Sequence, residues 1–173
     1  MADRTKHVFT YPRMEPGTLG HLDLVEPLRA FPAELARELK GITDDEARFR
    51  ESPESWCIKE IVGHLRDDAD VSNKRLYMMS TQTDPVLEPY DQDAYVTEHD
   101  YLGRELVQQL TELRDHRAAT VELLTSLVNW NWARTGQHLE SGRMSIRQMV
   151  EYMVEHDAEH LADVRRLRAA ANE

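Results

Sequence analysis

The sequence predicts an all-α fold, a four-helix bundle with one long crossover connection. Four long segments carry apolar residues at helical spacing, and no segment sustains the period-two alternation of a strand. One long proline-containing stretch then separates the second helical segment from the third. At 173 residues, with seven Gly and seven Pro, the composition is that of an ordinary globular chain, read as a single domain over 1–173.

The first helix is expected over residues 22–39, with Leu24, Leu28, Phe31, Leu35 and Leu39 on its stripe. Pro27 and Pro32 predict a kink or a late start, because proline removes an N–H and crowds the carbonyl four residues back. In the connector GITDDEARFRESPESW, Thr43 and Glu46 are spaced as a capping box for one short helical turn. The second helix, over 58–79, carries Ile61, His64, Leu65, Asp68, Val71, Arg75 and Met78 on its stripe, polar where a core helix should be apolar. Residues 80–103 follow without a regular pattern; Pro85 and Pro89 forbid a continuous helix, leaving a short one at 94–101. A connection this long is a candidate functional loop.

The third helix, over 104–127, repeats through Leu106, Leu110, Leu113, Arg117, Val121 and Leu124. NWNWARTGQHLESGR reads as loop. Ser145 and Gln148 then form a capping box, and Ile146, Met149, Val150, Met153, Leu161, Val164 and Leu167 carry the fourth helix to about residue 169. The expected packing is antiparallel.

With 32 acidic against 21 basic residues, the net charge of −11 opposes a nucleic-acid backbone, and the arginines of DVRRLRAA lie close behind acidic residues. A single Cys57 excludes an internal disulfide and a multi-cysteine metal site, and suits a reducing compartment. No apolar run is long enough for a signal-peptide core or a membrane span, so the expected location is cytoplasmic, with no nucleic-acid or membrane partner.

Eight histidines remain to be placed. His7, His21, His99, His116 and His138 fall in termini, loops or polar surroundings and read as solvated. His64 lies on the inward stripe of the second helix. His156 and His160, in EHDAEHLADV, leave one side of the fourth helix a turn apart, and His156 takes a core position of the repeat from Met149. Buried imidazoles without partners cost on the order of 1–3 kcal/mol each, so three on two inward faces point to something they bind. Neutral imidazoles suit a divalent ion such as zinc, nickel or iron, copper being compatible too, and three ligands leave a coordination position open for catalysis. A rival reading takes HDAEH as the H-x-x-E-H string of inverted zinc proteases, with Glu159 as general base.

Two segments carry a family resemblance. ESWCIKEIVGHLRDDAD resembles the W-S-I-x-E-I-x-x-H-L-x-D segment of DinB-like metalloenzymes, and MSIRQMVEYMVEHDAEHLADVRRL resembles their last helix. The resemblance implies a four-helix bundle with one divalent metal on His64, His156 and His160, and related branches comprise mycothiol- or bacillithiol-dependent transferases and metal-dependent hydrolases. The expected activity is therefore metal-dependent hydrolysis of a small molecule or thiol (S-)transfer, with a low-molecular-weight thiol as a candidate co-substrate. The competing expectation is a non-catalytic metal-binding or stress-response scaffold acting as a homodimer, with Trp130 and Trp132 as interface anchors.

The chain departs from the pattern at Cys57, which replaces the usual helix-capping serine and leaves Ser55 or a water to serve the helix start, and at Asp163, where glutamine is common. Glu60, Asp67 and Asp68 lie about 40–60° around the helix from His64, and each is a candidate to orient an imidazole or to face solvent. Asp163 is open in the same way, beside His160 or paired with Arg166. No catalytic residue beyond the three ligands is assigned.

Overall fold

A computed structural model describes residues 20–172; His7 lies outside them. Helix α1 spans His21–Glu38 without interruption, although Pro27 and Pro32 both lie inside it. The expected late start does not occur: Pro27 is exposed and Pro32 half-buried, so the helix loses two donors on its outer side while Leu24, Leu28, Phe31 and Leu35 bury the inner one.

The turn of helix α2, Asp44–Arg48, starts at the expected box: Thr43 Oγ1 accepts from Glu46 N at 3.2 Å and Glu46 Oε2 accepts from Thr43 N at 2.7 Å. Helix α3, Ile58–Thr81, has its start closed by Glu60, whose Oε2 accepts from Cys57 N at 2.9 Å. Ser55 instead turns back on Ser52, and the Glu60 N–H that a serine hydroxyl at position 57 would have capped bonds the Cys57 carbonyl at 3.1 Å.

The crossover carries α4, Gln92–Glu98, capped by Asp91, and leads to α5, Leu106–Ser126. The last helix, α6, spans Ile146–Ala170 behind the Ser145–Gln148 box, with bonds of 3.1 and 2.8 Å.

Three short strands correct the expectation of a chain without them. β1 (Val86–Leu87) pairs in parallel with β2 (Thr135–His138), which pairs antiparallel with β3 (Gly142–Ser145), in register Thr135↔Ser145 and His138↔Gly142. TGQH and GRMS are too short and too polar to show a period. Their pairing rests on Gly142 at φ +79° in the turn and on Asp84, whose carboxylate binds Thr135, Gln137 and Arg143 across the sheet. His138 is also buried rather than solvated, its Nδ1 accepting from the Glu140 and Ser141 amides.

Helices α1 and α3 each pack on α5 and α6, which places them on opposite corners of the bundle. One apolar cluster joins the start of α1 to the ends of α3 and α5 and the start of α6; the other joins the opposite ends. Hence α3 and α5 run in the same direction, opposite to α1 and α6, and the packing is not antiparallel throughout. The long crossover makes this possible, because it returns the chain to the end of the bundle where α3 began.

Between the two apolar clusters lies a buried polar layer. It holds His64, Asp68 and Ser72 of α3, Arg117 and Thr120 of α5, and His156 and Asp157 of α6. Among the described residues, no helix is long and apolar enough to cross a membrane.

Candidate metal centre

His64 and His156 are 2 % and 4 % exposed, and His160 is half-buried. The two on α6 project from successive turns, and α3, antiparallel to α6, brings His64 to them at the level of the polar layer. Nε2 of His156 stands 3.0 Å from Nε2 of His64 and 3.1 Å from Nε2 of His160. The rings meet at steep angles, 73° for His64–His156 and 87° for His156–His160. Among the described residues, this is the one group whose His, Cys, Asp or Glu atoms converge closely enough for an ion, all within 4.8 Å.

Hydrogen bonding alone does not account for this convergence. An imidazole Nε2 carries either one hydrogen or one lone pair, in the plane of its ring, so His156 Nε2 cannot serve two neighbours at 3.0 and 3.1 Å. Three lone pairs aimed at one point fit a cation. Metal–nitrogen distances of about 2.0–2.1 Å separate ligand nitrogens by roughly 3.0–3.4 Å, depending on coordination geometry. Burial favours the ligating form too: it pushes His64 well below its ordinary pKa and His156 down to about 4, which leaves both neutral at pH 7.

The acidic candidates separate clearly. Asp68 is buried behind His156, with Oδ2 3.7 Å from Nδ1 and Oδ1 accepting from Tyr90 of the crossover at 3.3 Å. Burial and the neighbouring Asp68 push the Tyr90 hydroxyl far above its ordinary pKa, so it stays protonated and donates. Asp67, one residue earlier, points elsewhere, to Arg66, Tyr101 and His99. Glu60 closes the start of α3 and pairs with Arg50 at 2.6 Å. Asp163 pairs with Arg166 at 2.9 Å, the surface reading, and stands 3.7 Å from His160 Nδ1 without a hydrogen bond to it; His160 and Arg166 hold its carboxyl down to about 2. Glu159 is exposed, which removes the protease-like reading.

Cys57 is buried and its thiol pKa is raised by that burial, as expected of a packing residue. Trp56 tilts its ring over His64 at 5.0 Å, and Tyr152 stacks on His156 at 5.4 Å. Of the two tryptophans taken as interface anchors, Trp132 is buried and stacked on His21 at 4.7 Å, and Trp130 is exposed. The pair therefore does not form one exposed patch.

Sequence reasoning missed the buried pair Arg117–Asp157, joined at 2.5 Å across the bundle diagonal beside His156. Its one signal was a charged residue, Arg117, on the stripe between Leu113 and Val121. Tyr90 had no signal beyond lying in a long loop.

The fold and the sequence have counterparts. The model of a family described as the DinB superfamily matches residues 28–164. A protein of Oceanobacillus iheyensis named "Putative metal-dependent hydrolase" is 31 % identical over 110 residues, 63 % of either chain and so just under two thirds of the relative's length. One of the same name from Bacillus mycoides is 24 % identical over 86 % of this chain and 85 % of its own. The solved structure of YfiT from Bacillus subtilis, described as "a probable metal-dependent hydrolase with an unusual four-helix bundle topology", superposes with a TM-score of 0.86 at 21 % identity, over 93 % of each chain.

Proposed function

The chain belongs to the DinB superfamily, and from that premise we propose that it is a divalent-metal-dependent enzyme that hydrolyses a small molecule, with His64, His156 and His160 as the metal ligands. The observation that carries this reading is the convergence of three Nε2 atoms, those of buried His64 and half-buried His160 lying 3.0 and 3.1 Å from that of buried His156. The names of the relatives support hydrolysis as the reaction.

A divalent ion there would supply a Lewis acid and lower the pKa of a coordinated water toward about 7. The protein's own residues divide the remaining work. Three neutral imidazoles leave the ion's charge uncompensated, which favours an anionic occupant of the open position. Asp68, 3.7 Å behind Nδ1 of His156, favours by its charge a proton on that nitrogen, the tautomer that leaves Nε2 free, and Tyr90 holds Asp68 from the crossover. Trp56 and Tyr152 wall the centre with aromatic surface.

The preference for an anion extends to a thiolate, so thiol transfer to an electrophile is the second reading, tested by the same experiment. Metal-loaded protein purified without a histidine tag is assayed on ester, amide and lactone substrates, and on thiols with electrophiles. Hydrolytic turnover that disappears in His64→Ala is the expected result. Turnover only with a thiol assigns the second reading, and metal retention with no turnover on any substrate rejects the enzyme in favour of a binding scaffold.

A further inference from the structure

We propose that Tyr90 and Arg75 are positioning residues of the histidine centre, and that they couple the crossover to metal occupancy. The crossover is held to α3 more firmly when His64, His156 and His160 carry an ion, and the ion is held more firmly when the crossover is in place. The coupling presupposes the metal centre proposed above.

Asp68 is the link. Its neighbour Asp67 makes four hydrogen bonds. Among the described residues Asp68 makes one: Oδ1 accepts from the Tyr90 hydroxyl at 3.3 Å, while Oδ2, 3.7 Å from Nδ1 of His156, has no hydrogen-bond partner. At 4 % exposed, Asp68 has little water to fix it. A buried carboxylate with one donor takes its position from that donor, and here the donor belongs to the crossover.

Tyr90 is held in turn by Arg75, two turns after Asp68 on the same face of α3. The guanidinium lies 5.9 Å from the centre of the Tyr90 ring and gives Nη2 to the carbonyl of Glu88. Lys59, Arg66 and Arg117, also buried, each pair with a carboxylate, on Asp44, Asp67 and Asp157. Among the described residues Arg75 pairs with none, and its hydrogen bond and its charge go to the crossover instead.

Backbone pairing ties the crossover to β2 as far as Leu87. Beyond it Glu88, Pro89 and Asp91 are exposed, and the hydrogen bonds from 88–91 to α3 are those with Arg75 and Asp68. Farther on, Asp67 holds His99 and Tyr101, and the Tyr95 ring bridges the two grips, 5.1 Å from Tyr90 and 4.2 Å from His99. The stretch 88–91 is therefore the part of the crossover whose hold runs through Asp68.

His156 with a cation on Nε2 presents a more positive Nδ1 edge to Asp68, which steadies the carboxylate and so gives the Tyr90 hydroxyl a fixed acceptor. Coupling is reciprocal: the factor by which an ion steadies the crossover is the factor by which the crossover tightens the ion.

Two measurements on the full chain test the coupling: hydrogen exchange over residues 86–91, read by mass spectrometry with and without saturating zinc, and competition titration of zinc against a chelator. In the parent, zinc is expected to slow that exchange about tenfold. Tyr90→Phe keeps the ring beside Arg75; it is expected to bind zinc about tenfold more weakly and, at saturation, to lose the slowing. Arg75→Met strands no carboxylate and is expected to move both readings the same way. Tyr101→Phe takes a hydroxyl from the neighbouring Asp67 and is expected to keep the parent's zinc affinity within about twofold, which separates coupling from general loosening of the fold.

Zinc bound by the parent with exchange over 86–91 unchanged overturns the proposal. So does a Tyr90→Phe variant that binds zinc as the parent does, or a Tyr101→Phe variant that binds it as weakly as Tyr90→Phe. A parent that binds no zinc contradicts the metal centre itself, and the coupling falls with it.

Discussion

Two buried polar clusters share helix α3, three residues apart, and they differ in whether they are closed. Around Asp67, every oxygen is used: Oδ1 accepts from Arg66 Nε and Nη2 at 2.9 and 2.7 Å, and Oδ2 from Tyr101 and His99 at 2.6 Å each. Around His64, three nitrogens face one another, and Nδ1 of both His64 and His160 has no hydrogen-bond partner. The first is closed at its carboxylate, which holds the crossover to the bundle, and its one loose donor, Arg66 Nη1, stands 3.5 Å from Glu112. The open one, kept at the cost of burying polar nitrogens, is where the proposed ion would complete the structure.

The contrast can be broken from either side. Asp67→Asn leaves Arg66 buried beside a neutral partner, and the expected loss is about 3–5 kcal/mol of unfolding free energy in urea, with metal stoichiometry unchanged. A variant that unfolds normally but loses metal would show that the two clusters are one site.

Acid should act mainly on the open cluster. In metal-free protein the buried imidazoles of His64 and His156 resist protonation that the unfolded chain accepts near pH 6.5. Stability is therefore complete above that pH and falls as pH drops toward about 4, the folded value for His156. For His156 alone this reaches roughly 3 kcal/mol. Asp157, raised to about 6 by burial, opposes the trend between about 6 and its ordinary 3.8, and two imidazoles outweigh one carboxyl. Thermal unfolding with a chelator at pH 7.5 and 4.5 measures it; an unchanged or higher midpoint at 4.5 refutes the assignment.

Asp68 and Glu159 give smaller, sharper contrasts. Asp68→Asn is expected to weaken metal binding about 10- to 100-fold by competition titration, through the lost support behind His156. An affinity equal to the parent's would return Asp68 to a structural role. Glu159→Gln, on the exposed face, is expected to change stability by less than about 0.5 kcal/mol and to leave turnover intact.

Much of this was legible in the sequence, for reasons that differ by element. Helices α3, α5 and α6 declared themselves because burying one face writes a period into the apolar residues, and the boxes at Thr43 and Ser145 because a cap needs two residue types at a fixed spacing. His64, His156 and His160 stood out as polar residues on apolar stripes. The hairpin did not, because four-residue strands have no room for a period and theirs is held by Asp84, about 50 residues away. Asp157 and Tyr90 were equally hidden: the first looks like any charge on an acidic helix, and the second acquires a partner only when the crossover is placed. Directions of packing were misread because residue patterns record which face is buried, not which neighbour buries it.

The proposed function requires that the three imidazoles hold one divalent ion. Elemental analysis of untagged protein, followed by anomalous diffraction at the edge of the metal found, tests it most directly. About one ion per chain is expected, roughly 2.0–2.2 Å from Nε2 of His64, His156 and His160, and none in the triple alanine variant. Protein that carries no ion under any divalent metal, or an ion that survives loss of all three histidines, would contradict it.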